Sequence, residues 1–254
     1  MKHRSAGGGR ERARTLAASL SGLARRYALD AAAEAKLARL LEALTEDPLA
    51  PTGVRDPLRA LEDHLADSLV ALELDQARSA ALIADLGAGA GVPGLPLAIA
   101  LPATRVSLVE SNGRKCEFIE RAIEACELSN AAVVNARAEA WPDGLERFDL
   151  VTARALAPLA VVAEYAAPLL RIGGALIAWR GRRDPGDEAS ARLATAELGL
   201  EMPDTLRVEP YRGAANRHLQ LMLKTATTPA RFPRRPGIAR KRPLGALSGR
   251  PSDR

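Results

Sequence analysis

Three glycines separated by single alanines, Gly87, Gly89 and Gly91, sit inside "LIADLGAGAGVPGLPLAIA" (82–100), with Asp85 just ahead of them. Such a turn lets the backbone approach a bound group with no Cβ in the way. At the start of a helix it also offers free N–H groups and the positive end of the helix dipole. A dinucleotide cradle wants G-x-G-x-x-G, but here the sixth position is Val92, followed by Pro93-Gly94. Nineteen residues past Gly91, "VSLVE" ends at Glu110, where a carboxylate can accept both hydroxyls of an adenosine ribose. Ala138 and Glu139, in "NARAEAW" (135–141), follow a third apolar run and suit the border of an adenine ring. Glycine turn, ribose acid and adenine loop, in this order, describe a site for an adenosine-bearing cofactor. The G-x-G-x-G spacing favours S-adenosylmethionine over NAD.

These residues need a scaffold of strands and helices, and the chain reads as one. After Asp75, short apolar runs end at turn residues or acids: "ALIADL" (81–86), "RVSLVE" (105–110), "AAVVNA" (131–136), "FDLVTA" (148–153) and "GALIAW" (174–179). Helical stretches such as 113–127 and 158–170 lie between them, which predicts right-handed β-α-β units on a parallel sheet. In such a sheet, ligands sit at the carboxyl ends of the strands. "RHLQLMLKT" (217–225) alternates leucine with polar residues and suits an edge or antiparallel strand. Upstream, Leu37, Leu40, Leu41 and Leu44, and again Leu58, Leu61, Leu65 and Leu69, fall at helical spacing. The organisation expected is a disordered basic N-terminus (1–14), a helical part (15–75), the α/β domain (76–228) and a basic tail (229–254).

Charge is divided unevenly. Residues 1–14 hold five Lys/Arg and one acid, and residues 229–254 hold eight and one, leaving 23 basic and 29 acidic residues between them. The body is thus net negative and both ends positive, as for arms that touch a polyanion or aid solubility. Cys116 and Cys126 form no C-x-x-C pair, the N-terminus has no apolar secretory core, and no apolar run is long enough to span a bilayer. The expectation is a soluble cytoplasmic protein without a metal site, and a monomer. The chain has only eight aromatics, so affinity for any polyanion such as a nucleic acid would come from Arg and Lys on phosphates and little from stacked bases.

The chain resembles the bacterial 16S ribosomal RNA guanine-N7 methyltransferases called RsmG, or glucose-inhibited division protein B. The resemblance rests on "GVRDPLRALEDHLADSL", "DLGAGAGVPGLPLAIA", "LVESNGRKCEFI", "RAEAW", "FDLVTARALAPL", "RHLQLMLK" and "FPRRPGIARKRPL", spanning roughly 45–244. It implies a class I S-adenosylmethionine-dependent methyltransferase, Rossmann-like, with a mostly parallel seven-stranded sheet behind a helical N-terminal part. It also implies 16S rRNA of the small ribosomal subunit as partner, and cofactor contacts at Gly87, Val92, Ala138, Glu139 and Arg154. To these the direct reading adds Asp85, Gly89, Gly91 and Glu110. Three positions depart from the family's usual text: Ala50-Pro51 before Thr52, Asp63 before His64, and Arg180 before Gly181.

Guanine N7 carries an accessible lone pair, so methylation there needs no deprotonation and no general base is assigned. Arg154, past the fourth strand, is expected at the pocket mouth against the cofactor carboxylate or guanine O6. Candidate substrate contacts are His64, Arg180, Arg217, His218, Arg234, Arg235 and Lys241. His64, Asp67 and Ser68 share one helix face at i, i+3 and i+4. The tail is expected to run extended, to act on RNA and to leave the cofactor alone. Other readings are a methyltransferase for another RNA or a small molecule, and a non-catalytic RNA-binding protein.

Overall fold

A computed structural model describes residues 5–246 of the chain. The helical part begins with α1 (Ser5–Arg26) and α2 (Ala31–Glu46), the latter capped by Asp30, whose carboxylate accepts from Ala33 N at 2.7 Å. Leu37, Leu40, Leu41 and Leu44 form the buried stripe of α2 and share a core with Leu20, Leu23 and Tyr27. Residues 5–14 are helical, contrary to the disorder expected of them. Helix growth adds a hydrogen bond per residue once a nucleus exists, and the packed turns around Leu20 and Leu23 supply it. Next come α3 (Pro57–Ala60), a π-helical turn (Leu61–Ala66), α4 (Asp67–Leu69), a tighter turn (Val70–Glu73) and α5 (Asp75–Arg78). Leu61, Leu65 and Leu69 are buried along this stretch.

The α/β part alternates β1 (Leu82–Leu86), α6 (Gly94–Ala100), β2 (Arg105–Glu110), α7 (Gly113–Ala125), β3 (Ala131–Asn135), β4 (Phe148–Arg154), α8 (Leu159–Ala166), β5 (Leu170–Arg180) and α9 (Pro185–Leu198). The strands β6 (Leu200–Glu201), β7 (Leu206–Arg207) and β8 (His218–Lys224) and the short α10 (Ile238–Lys241) complete it. The sheet order is β3-β2-β1-β4-β5-β8-β6, with β7 also on β8. β1 to β5 run parallel, and β8 is antiparallel to β5, β6 and β7. The sheet has eight strands, not the seven expected: β6 and β7 are two residues each, too short to show a period.

Strand order reverses between β1 and β4, so the crevice beyond their carboxyl ends is the natural ligand site. The two faces of the sheet carry separate cores. One joins the helical part and α6, the other α8, α9 and the C-terminal segment. That segment is not an extended arm. Phe232 and Ala239 are buried against the second core, and Leu244 packs on it. No described helix is long and apolar enough to cross a membrane.

Candidate active site

The glycine turn is built by backbone conformation. Gly87, Gly89 and Gly91 have φ of 65°, 59° and 77°, values that cost side-chain-bearing residues strain. The turn hangs on β2, with Gly87 N and Ala88 N both donating to Val109 O. A Cβ on Gly87 would meet Leu156 Cδ1 at 2.6 Å, and one on Gly91 would collide with Leu95. A Cβ on Gly89 would touch only Gly87 O, at 3.6 Å, so this glycine faces open space.

Glu110 closes the turn. Its Oε2 accepts from Gly89 N at 3.1 Å, and its Oε1 accepts from Ser111 N and Asn112 N at 2.7 and 2.9 Å. One carboxylate thus ties β2, the glycine turn and the start of α7 together, while Lys115 Nζ stands 4.0 Å away. Beyond it opens a cavity of about 410 Å³, lined by Gly87, Glu110, Ala138 and Glu139 among the expected residues. Its other walls include Ser111, Lys115, Arg137, Ala155, Leu156, Tyr165 and Arg240, which the sequence did not single out. The first five lie one to five residues from an expected site residue and could have been found from it. Arg240 adjoins the candidate Lys241, but only as an RNA contact, and Tyr165 carries no local signal.

Asp85 lies beneath the turn and off the cavity lining. Fully buried, it accepts from Gly94 N at 2.9 Å and from Thr152 Oγ1 at 2.9 Å, its register neighbour on β4. The first amide of α6 is therefore spent on protein, and the expected helix-end cradle is sealed from below. Burial pushes the Asp85 carboxyl up to about 7, against the pull of its two hydrogen bonds. The unfolded chain releases this proton near 3.8, whereas the fold keeps it to about 7. Stability from this group therefore falls as pH rises from about 4 to about 7. Asp85→Asn keeps both contacts, with its amide donating to Thr152 Oγ1. The stability advantage of the parent over this variant should shrink steadily between pH 4 and 7 in urea titrations. Parallel stability curves across that range would contradict it.

Val92 is buried and Gly91 turns toward Leu95, so both shape the turn from behind. Arg154 departs furthest from expectation. Its guanidinium points at the helical part, donating to Asp63 O at 2.8 Å and Asp67 Oδ2 at 3.1 Å, and meeting His64 Nδ1 at 3.3 Å. Because an Arg only donates, His64 Nδ1 accepts, and Nε2 carries the proton toward Thr52 Oγ1, 2.8 Å away. Burial and the Arg154 charge push the His64 pKa down to about 4, leaving a neutral ring with both nitrogens engaged. Ser68 donates back to His64 O within its helix. Asp67 also faces Arg217 Nε at 3.3 Å, and its carbonyl accepts from Trp179 Nε1 at 2.6 Å. Asp63 binds Arg217, Tyr211 and Arg59. Most of this cluster joins the helical part to β4, β5 and β8.

The remaining candidates scatter. Arg180 pairs with Asp187 at 2.5 Å and lines a groove of about 530 Å³ that shares Ala155 and Leu156 with the cavity. His218 Nδ1 donates to Gly181 O at 2.8 Å. Arg234 is not a free RNA contact: it makes a bidentate pair with the buried Glu164. Arg235 and Lys241 are exposed.

Residues 34–205 match the profile of the GidB family, described as rRNA small subunit methyltransferase G. The chain is 45% identical over 199 residues to Ribosomal RNA small subunit methyltransferase G of Chloroflexus aggregans, covering 76% of this chain and 82% of that one. It is 41% identical over 198 residues to the protein of the same name from Rubrobacter xylanophilus, covering 76% of each. Among solved structures, a SAM-dependent methyltransferase from Aquifex aeolicus is similar at a TM-score of 0.52, with 15% identity over 73% of this chain and 97% of that one. Aeropyrum pernix fibrillarin, solved with bound S-adenosyl-L-methionine, gives 0.50 with 18% identity over 62% and 73%. These two show the fold, a methyltransferase sheet. Sequence identity above 40% over three quarters of the chain goes further: the chain belongs to the GidB family of rRNA small subunit methyltransferases G.

Proposed function

We propose that this S-adenosylmethionine-dependent methyltransferase of 16S rRNA places its methyl group on the N7 of a guanine. The observation that carries the reading is the cavity at the strand-order reversal, rimmed by Glu110 and adjoining the Arg180 groove, with which it shares the wall residues Ala155 and Leu156. The cavity fits the methyl donor. Its volume of about 410 Å³ is that of a small-molecule site, and Gly89 leaves open space at its rim. Three of Glu110's four acceptor sites are taken by backbone amides, so the one left on Oε2 takes a single ribose hydroxyl and not both; Ala138 and Glu139 flank the adenine, and Gly87 admits close backbone approach. S-adenosylmethionine, when bound, supplies an electrophilic methyl on a positively charged sulfur.

The chain's own contribution is positional. N7 attacks with a lone pair it already holds, so no side chain has to remove a proton. His64, neutral and doubly hydrogen-bonded, accordingly serves to hold Arg154. Holding acceptor and methyl about 3–3.5 Å apart and in line supplies the rate gain. The Arg180 groove receives the base, which must leave its stack or come from a loop. Exposed Arg235 and Lys241 meet phosphates, offsetting a net negative body. Both cysteines are free and buried, in keeping with a protein of the reducing cytoplasm.

The test is transfer of labelled methyl from S-adenosylmethionine to RNA by the purified protein. Label should enter 16S rRNA or small subunits, and digestion should return it as 7-methylguanosine. Label in another nucleoside would overturn the N7 assignment.

A further inference from the structure

We propose that the C-terminal segment is part of the methyl-donor site and that Arg240 contacts the adenine ring. The proposal rests on the reading that the cavity takes S-adenosylmethionine.

The segment is fixed on both sides of Arg240. Arg234 grips Glu164 of α8, Nε to Oε1 at 2.6 Å, and Glu164 is 1% exposed. The same guanidinium donates to Arg242 O at 2.9 Å, closing residues 234–242 on themselves. Phe232 and Ala239 bury their side chains in the core beneath. Such long-range anchoring gives the segment one position on the fold.

That position is over the cavity. Gly237, at a φ of 82° that favours glycine, donates its N–H to Glu139 Oε1 at 3.0 Å, so the segment orients the acid expected beside the adenine. Arg240 donates to Leu156 O at 3.0 Å, and its side chain lines the cavity alongside Glu139, Leu156 and Tyr165. Every other lining residue falls between Gly87 and Tyr165, so this wall is supplied from 75 residues further along. Within the lining, Glu110 is tied to Ser111 and stands 4.0 Å from Lys115, whereas Arg240 keeps company with Leu156, Tyr165 and Glu139, the acid expected at the adenine. The adenine of the donor therefore falls beside the guanidinium. One N–H of Arg240 is used on Leu156, leaving others for adenine ring nitrogens, which are acceptors. The planar cation also suits the face of an aromatic ring.

Calorimetric titration of the full chain with S-adenosylmethionine, without RNA, tests this directly. Arg240→Ala should weaken binding about 5- to 30-fold. Arg240→Lys, which keeps charge but loses the plane, should fall between. Arg242→Ala, removing an exposed cation from the same segment, should stay within about twofold. A second readout is limited trypsin cleavage, since ligand bound to the closed form lowers the population open to attack. Saturating cofactor should slow cleavage after Arg240 and Lys241 at least about fivefold, and leave cleavage within residues 10–14 of α1 unchanged. If the parent binds the cofactor but Arg240→Ala does so equally well, or the segment gains no protection, this proposal is overturned and the functional reading stands. A parent that does not bind S-adenosylmethionine removes both.

Discussion

Replacing Glu110 with alanine should weaken S-adenosylmethionine binding roughly 10- to 150-fold, because a charged hydrogen-bond partner contributes about 1.5–3 kcal/mol. Two losses combine. The ribose loses the acceptor of one hydroxyl, and the amides of Gly89, Ser111 and Asn112 lose the oxygens that hold them. Glu110→Gln separates the two, since it keeps one acceptor oxygen but turns an NH2 toward backbone donors. Calorimetric affinity together with a melting temperature reads both effects. The alanine variant should lose affinity in full, and the glutamine variant should retain acceptor function on one side only. An alanine variant that binds within about threefold of the parent would remove Glu110 from the site.

Asp67→Ala should be the most destabilising single change of those considered. Asp67 is 6% exposed, between Arg154 and Arg217. Its loss leaves the largely buried Arg154 with no carboxylate partner, while Arg217 keeps Asp63, and removing one partner of a buried ion pair costs about 3–5 kcal/mol. For a chain of this size each kcal/mol lowers the melting temperature by about 2–4 °C, so a fall of about 6–20 °C is expected. Arg59→Ala removes a pair whose arginine is 72% exposed, and should cost less than about 0.5 kcal/mol. Differential scanning calorimetry of both variants decides it. Equal, small shifts would mean the cluster does not join the helical part to the sheet.

How far the sequence could be read depended on whether the information was local. That the glycine turn, Glu110 and the 138–139 loop meet at one cavity was legible because each closes one β-α unit, and a parallel sheet brings such ends to one edge. Arg154 was placed at the right strand end, but its partners in the helical part were not legible. A strand residue's direction follows from alternation, yet what meets it depends on how residues 57–73 pack, and their π-helical turn leaves no mark in hydrophobic spacing. The tail was misread for a related reason. Its proline and arginine content has no period, and its hold on the fold comes from single residues. Phe232, Arg234 and Ala239 meet partners such as Glu164, seventy positions upstream. Asp63, which departs from the family's text, shows the same limit. Its role became visible only when Arg217 and Tyr211 were found against it.

The most direct measurement of the central claim maps 7-methylguanine in the 16S rRNA of cells that lack this protein. Borohydride reduction followed by aniline cleaves RNA at that base, so each modified position reads as a strand break. The account predicts one break present in the parent cells, absent from cells without the protein, restored by the full chain, and not restored by a chain carrying Glu110→Ala. An identical cleavage pattern with and without the protein would contradict it.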